Sequence, residues 1–399
     1  MESMEKTKRM DYRFDKMIIT LMLICIGIIV SVTFHFPQIT SALFAVSFVV
    51  LLVMVVKIIY MSVFRSGVAV DFFIMLFMFM LSFMFLVISG SGLMSFRYMR
   101  KFYMFAATLL FIFVSGIINI KTETKKAVLS TGLILAIFYT VMYYSGNGEY
   151  LGRYLTFGHS NSNLAGMWLL SILMLLIMCP VYFKNKLLKL VSIAEIPIIV
   201  YFITLTQSRN CLLVAITFPI MYLIVKFVRC HVKIEQNRKI FVMLIILIPL
   251  IFSLLYLFLV NNNLIAEQIE LVITSEGKNI TSRMGIWERA FGVIKDHPIT
   301  GGYYDLGGRS GWFQMHNMAV DTCAAYGIPV YILFVILMVR IFSKAINDCN
   351  NKFELLLISA EFTMFNTGIG EAGLLGGTVG MYILACSFLL LIDKKHETS

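Results

Sequence analysis

One polar passage, Thr281 to Gly327, gathers the side chains best suited to chemistry. It holds Arg283, Arg289 and Arg309, His297 and His316, and Trp287 and Trp312. A guanidinium stays charged and grips phosphate through a planar fork of donors. An imidazole exchanges a proton near neutral pH. The two together suit a reaction in which an anionic group departs while a hydroxyl gives up its proton. Two further polar clusters stand upstream, Arg153 to Asn163 and Gln207–Ser208–Arg209–Asn210. Each residue also has a plainer use. A loop histidine such as His316 can be hydrogen-bonded in place, and Arg209 can be a helix-end arginine snorkelling towards headgroups. Arg283 can cap a helix or bind lipid. His159, with Asn161 and Asn163, reads better as a helix N-cap turn than as a catalytic residue.

Other chemistries lack their residues. No carboxylates stand paired in an identifiable glycosidase motif. No His/Cys cluster or Asp-x-Asp element indicates a metal, and no Gly-rich loop indicates a nucleotide, so no cofactor is expected. The seven cysteines are scattered, mostly in apolar runs, and read as small apolar residues.

The elements that must carry these residues are membrane helices. The chain has 399 residues, 59% hydrophobic and 14% charged, with mean hydropathy +0.87. Soluble domains are about 45–50% apolar and about 25% charged. Hydropathy predicts about twelve spanning helices of about 20 residues each. They cover 17–36, 39–60, 70–89, 101–119, 127–145, 163–182, 188–206, 210–228, 240–260, 319–341, 353–368 and 374–392. The net charge of +11 falls mainly in short loops on one side, which marks the cytoplasmic face and not a nucleic-acid surface. Both termini are then cytoplasmic, and the three polar clusters lie outside. The N-terminal apolar run reads as a retained first helix. Glu195 and Glu361 fall within spans, where a carboxylate faces a cavity or a partner.

The chain divides into an N-terminal bundle of nine helices (1–260), an extracytoplasmic loop (261–318) and C-terminal helices with a cytoplasmic tail (319–399). Within the loop, Met284, Trp287, Phe291 and Ile294 recur at helical spacing. They predict an amphipathic helix lying in the headgroup plane, with Trp287 as an interfacial anchor. It stops before His297–Pro298, because the residue ahead of proline disfavours helix.

Taken in order, these elements resemble the O-antigen ligase and polymerase superfamily of bacterial envelope glycan enzymes. They are Phe157 with Asn161 and Asn163 ahead of a helix, Ser208–Arg209 at a helix junction, and Arg283-x-x-x-Trp287. Pro298-x-x-Gly301, His316–Asn317 and a helix starting at Gly327 follow. The resemblance covers roughly residues 150–340. It departs after the proline, where the family's Gly-x-Gly is Gly301–Gly302–Tyr303. The resemblance implies an all-α, GT-C-like integral membrane protein with a large extracytoplasmic loop, in the bacterial cytoplasmic membrane. The implied activity is glycosyl transfer from a polyprenyl-pyrophosphate-linked donor to a glycan or lipid-linked glycan acceptor. Arg209 and Arg283 would hold the diphosphate and His316 would serve the acceptor. Asn317 would orient the histidine region and, with Arg153, Arg289 and Tyr303, is a candidate for substrate binding; Glu371, placed among glycines on the outer face, is a candidate contact to sugar hydroxyls. A repeat-unit polymerase is the first reading and a ligase the second. A lipid-linked oligosaccharide flippase is the competing class, but its polar residues belong at the membrane midplane.

Overall fold

The computed structural model describes residues 14–62, 66–89, 96–159, 161–260, 281–302, 315–370 and 387–394. Tyr303 and Glu371 lie outside the described residues. The chain is a helical bundle. Helices α1 (Asp15–Thr33), α2 (Pro37–Ser62), α3 (Ser66–Ser89), α4 (Phe96–Ile117) and α5 (Thr122–Met142) come first. A π-turn and a small antiparallel hairpin follow, β1 (Tyr150–Leu151) and β2 (Tyr154–Leu155). Next are α6 (Ser162–Tyr182), α7 (Lys186–Thr206), α8 (Arg209–His231) and α9 (Glu235–Val260). The polar passage contributes α10 (Thr281–Asp296) and α11 (Met318–Tyr326). The chain continues through α12 (Ile328–Asp348), α13 (Lys352–Phe365) with a 3-10 turn at Asn366–Ile369, and α14 (Ser387–Leu390).

Among the described residues, nine helices are long and apolar enough to cross a membrane, and each overlaps one of the predicted spans. The fourth predicted span appears as α4, whose apolar part is the shorter Met104–Ile117. Most of the span predicted at 374–392 lies outside the described residues. The span predicted at 319–341 needs correction, because the chain breaks there. Gly327 takes φ 85°, ending α11 and starting α12, so the long apolar run is two helices. A left-handed backbone of this kind favours glycine, and hydropathy is blind to it.

Helix α6 is the central post. Apolar nearly all round, it buries Trp168, Leu169, Leu170, Ile172 and Leu175, as a helix without a polar face must. Helices α5, α7, α8 and α13 surround it. By contrast α8 leaves Leu213, Ile216, Ile220, Leu223 and Phe227 exposed at helical spacing. Such a stripe is the face a membrane helix turns to hydrocarbon. Glu195 pairs across to α5, accepting from the Thr140 hydroxyl at 2.7 Å, so this buried carboxylate is a structural link.

The two ends of the bundle differ. One end is laced by basic residues. Lys125 meets Asp393 at 2.5 Å, the Arg229 guanidinium donates to the Cys349 carbonyl at 3.1 and 3.2 Å, and Arg238 donates to Asn347 at 2.6 Å. Arg153, Arg209, His316 and the 366–369 turn lie at the other end.

Candidate functional site

The first half of the site is the α7–α8 junction. Gln207 closes α7 in the left-handed conformation, φ 51°. Ser208 then turns the chain into α8, seated so closely on α6 that a Cβ on Gly166 would lie 2.8 Å from Ser208 Cβ. Arg209 is therefore the first residue of α8, and it is exposed. A cation is disfavoured there, because the first turn of a helix already carries partial positive charge. A helix N-terminus is also where an anion is held by backbone N–H groups. The next residue, Asn210, sends its amide N–H to the carbonyl of Thr367 at 2.8 Å.

The second half is the approach to α11. His316 is half-buried and left-handed, φ 47°, a conformation that costs a non-glycine residue about 1–2 kcal/mol. Its neighbours hold it there. Met315 N–H donates to Asp321 at 3.3 Å, while Met315 C=O accepts from Trp287 Nε1 at 2.6 Å. Asn317 is the N-cap of α11, and its carbonyl accepts from Ala319 and Val320 N–H at 3.0 and 3.1 Å. Its amide donates to Pro249 O at 2.8 Å and Ile369 O at 3.2 Å.

Asn317 is fully buried with its amide bonded to backbone on two elements, a placement that suits orienting the segment. One expectation changes here. Trp287 is 3% exposed and rivets α10 to Met315, so it is an internal anchor and not an interfacial one. The buried face of α10 is accordingly Trp287, Ala290 and Val293, packed on Met315, Val320 and Ala324.

Helix α10 runs alongside α11 in the same direction. Trp287 lies beside Met315 at one end, and at the other residues 298–302 dock on the α11–α12 break. Ile328 N–H donates to Pro298 O at 2.9 Å, and Gly302 N–H donates to Ala324 O at 2.9 Å. A Cβ on Gly327 would sit 1.9 Å from Ile299 O, and one on Gly301 (φ 66°) 2.7 Å from the Ala325 carbonyl. Pro298-x-x-Gly301 and Gly327, read separately along the sequence, are thus the two faces of one backbone lock.

Arg283 falls in the first turn of α10, one turn before Trp287, at the end of that helix that adjoins Met315 and His316. Arg289 is exposed on α10. Arg153 sits in the turn of the β1–β2 hairpin, 5.4 Å from the Tyr154 ring; that hairpin packs on α6 and α7, whereas His316 is held by α9, α10 and the 366–369 turn. His159 is buried, with Nε2 3.3 Å from Tyr139 Oη and its ring stacked on Trp168. Burial lowers its pKa to about 4. Asn161 caps α6 by accepting from Asn163 N–H at 2.8 Å, which agrees with the capping-turn reading of that cluster.

Arg209 and His316 therefore begin from two helix N-termini that grip one 3-10 turn, through Asn210 and Asn317. Residues 196–335 match the family model described as O-antigen ligase. That match supports a place in the O-antigen ligase and polymerase superfamily. No curated protein and no solved structure matches the chain. The O-antigen ligase match spans Arg209, Arg283, Arg289, His316 and Asn317, and stops short of both Arg153 and the 366–369 turn. Members of this superfamily are glycosyltransferase-like enzymes of the membrane that use lipid-linked glycans.

The turn itself escaped the sequence reading, which ran 353–368 as continuous helix. The signal was present in Asn366–Thr367–Gly368, a polar run ending an apolar helix.

Proposed function

We propose that the protein joins oligosaccharide repeat units carried on polyprenyl diphosphate into a surface polysaccharide, at the outer face of the bacterial cytoplasmic membrane. The observation that carries this reading is that Asn210, next to Arg209, and Asn317, next to His316, both bond to one turn, and that both pairs of residues fall inside the segment that matches the O-antigen ligase family. In the reaction, an acceptor hydroxyl attacks the anomeric carbon of the donor glycan. The bond from that carbon to the diphosphate oxygen breaks, and a new glycosidic bond forms. His316 takes the hydroxyl proton. Arg209 and Arg283 hold the diphosphate, where negative charge grows as it leaves. Arg209 opens α8 and Arg283 falls in the first turn of α10, so helices carry both arginines, and groups set in place before the reaction lower its entropic cost. Arg289 and Arg153 extend positive charge along the same end of the bundle, where a long anionic or polar glycan would pass.

The ligase activity for which the matched family is named favours a second reading, transfer of the finished lipid-linked glycan to another acceptor. The pool of lipid-linked glycans in a deletion strain separates the two. Single repeats on polyprenyl diphosphate should accumulate if the protein is a polymerase. Long chains on polyprenyl diphosphate would instead make it a ligase.

A further inference from the structure

The 3-10 turn Asn366–Ile369 lies beyond the matched segment, yet it touches both halves of the site. Its carbonyls are taken in alternation. Thr367 O accepts from Asn210 at 2.8 Å, and Ile369 O accepts from Asn317 at 3.2 Å. Between them, Gly368 is pressed on the first residue of α11, where an added Cβ would stand 2.9 Å from Met318 Cβ. Thr367 ties the turn back to its own helix, donating to Met364 O at 2.7 Å. At the far end α13 is capped by Asn351, which accepts from Glu354 N–H at 2.9 Å. The turn is thus the rigid end of an anchored helix, wedged between two helix N-termini. Two buried polar atoms flank it without a hydrogen-bond partner among the described residues, Ser208 Oγ and Asn366 Oδ1.

We infer that Asn210 is a positioning residue for the reaction. Through Thr367, Gly368 and Ile369 it fixes the backbone at His316 relative to Arg209. This rests on the reading of those two residues as the reacting pair. Asn210 itself need touch no substrate, since its amide is directed to Thr367. A misplacement of about 1 Å between reacting groups can cost about 10²-fold in rate.

Hydrogen–deuterium exchange on the full chain in lipid nanodiscs tests the coupling without reference to activity. Asn210→Ala should speed exchange in peptides covering 315–320 and 364–370. Gly368→Ala, which drives the same wedge from the other side, should do likewise and stands in if Asn210→Ala fails to fold. Faster exchange confined to 208–214 in both variants would overturn the inference.

Turnover of a polyprenyl-diphosphate-linked oligosaccharide is the second readout. For Asn210→Ala, kcat should fall by about 10²-fold while KM for the donor stays within about threefold. Asn210→Asp, of the same shape but with no N–H to offer Thr367, should fall as far. Asn210→Gln, which restores the donor, should recover most of the loss. A rise in KM at constant kcat would assign Asn210 to substrate binding and overturn positioning. If the parent protein does not turn over this donor, the functional reading fails, and the exchange experiment still decides the coupling.

Discussion

His316 is the residue on which the proposed chemistry turns. Its left-handed backbone is maintained against a steric cost by bonds on both sides of it. Strain held in this way by its surroundings is a recurrent property of functional positions. His316→Ala should lower turnover by about 10²–10⁴, the range for loss of a general base. Donor affinity should persist, because the proposed mechanism gives that interaction to the arginines. Parallel measurements of lipid-donor binding and single-turnover rate check this; full turnover by the variant would remove His316 from the mechanism. His159 makes a useful contrast. Burial holds its pKa at about 4, below the ordinary 6.5, so the folded state resists the proton more than the unfolded chain does. Its neutral form therefore contributes stability that is complete above about pH 6.5 and is lost as pH falls towards about 4. Thermal unfolding midpoints in detergent should drop across that window, and less steeply in His159→Gln. Equal slopes in the two proteins would show that other groups set the acid sensitivity.

At the scale of elements, the lock between residues 298–302 and the α11–α12 break decides whether the polar passage folds. Gly327→Ala places a methyl 1.9 Å from the Ile299 carbonyl oxygen on a left-handed backbone, so steric repulsion and strain combine. The variant should reach the membrane at a small fraction of the parent level, as read by immunoblot. A normal level with normal activity would mean that the two segments do not interlock. This lock also shows what the sequence reading caught and what it missed. The motif pieces Pro298, Gly301 and Gly327 stood out because proline and glycine punctuate apolar sequence. Their mutual contact did not, because it joins residues far apart along the chain through backbone atoms common to every residue. Trp287 was misplaced for a related reason. Amphipathic spacing shows that a face is apolar, and does not say whether lipid or α11 covers it. Asn317 stands out beside a histidine, but its four bonds to backbone come from three separate elements that spacing cannot bring together. Nearly all the long helices were legible, since a bilayer imposes a length and an apolar content that composition alone reveals.

For the whole molecule, the asymmetry of its two ends sets a test of sidedness. Lys125, Arg229 and Arg238 tie one end, and short basic segments of this kind belong on the cytoplasmic side. Glu288 is exposed on α10. A cysteine placed there, in a background without the native thiols, should react with a membrane-impermeant maleimide added to intact cells. Labelling only after permeabilisation would put the site on the cytoplasmic side and end the proposed use of an outer-face donor.

The grip of Asn210 and Asn317 on the 366–369 turn also bears on when, during synthesis, the protein becomes competent. Asn210 waits for a carbonyl 157 positions later in the chain, and Asn317 for one 52 positions later. Every arginine and histidine of the site is already translated before α13 emerges from the ribosome. A nascent chain can therefore have threaded most of its helices into the bilayer and still hold Arg209 and His316 without a common reference. On the proposed roles, competence should arrive late, when α13 docks. A chain stopped after α12 should own the proposed reacting groups and remain inert, so prematurely released fragments should not consume substrate in the membrane.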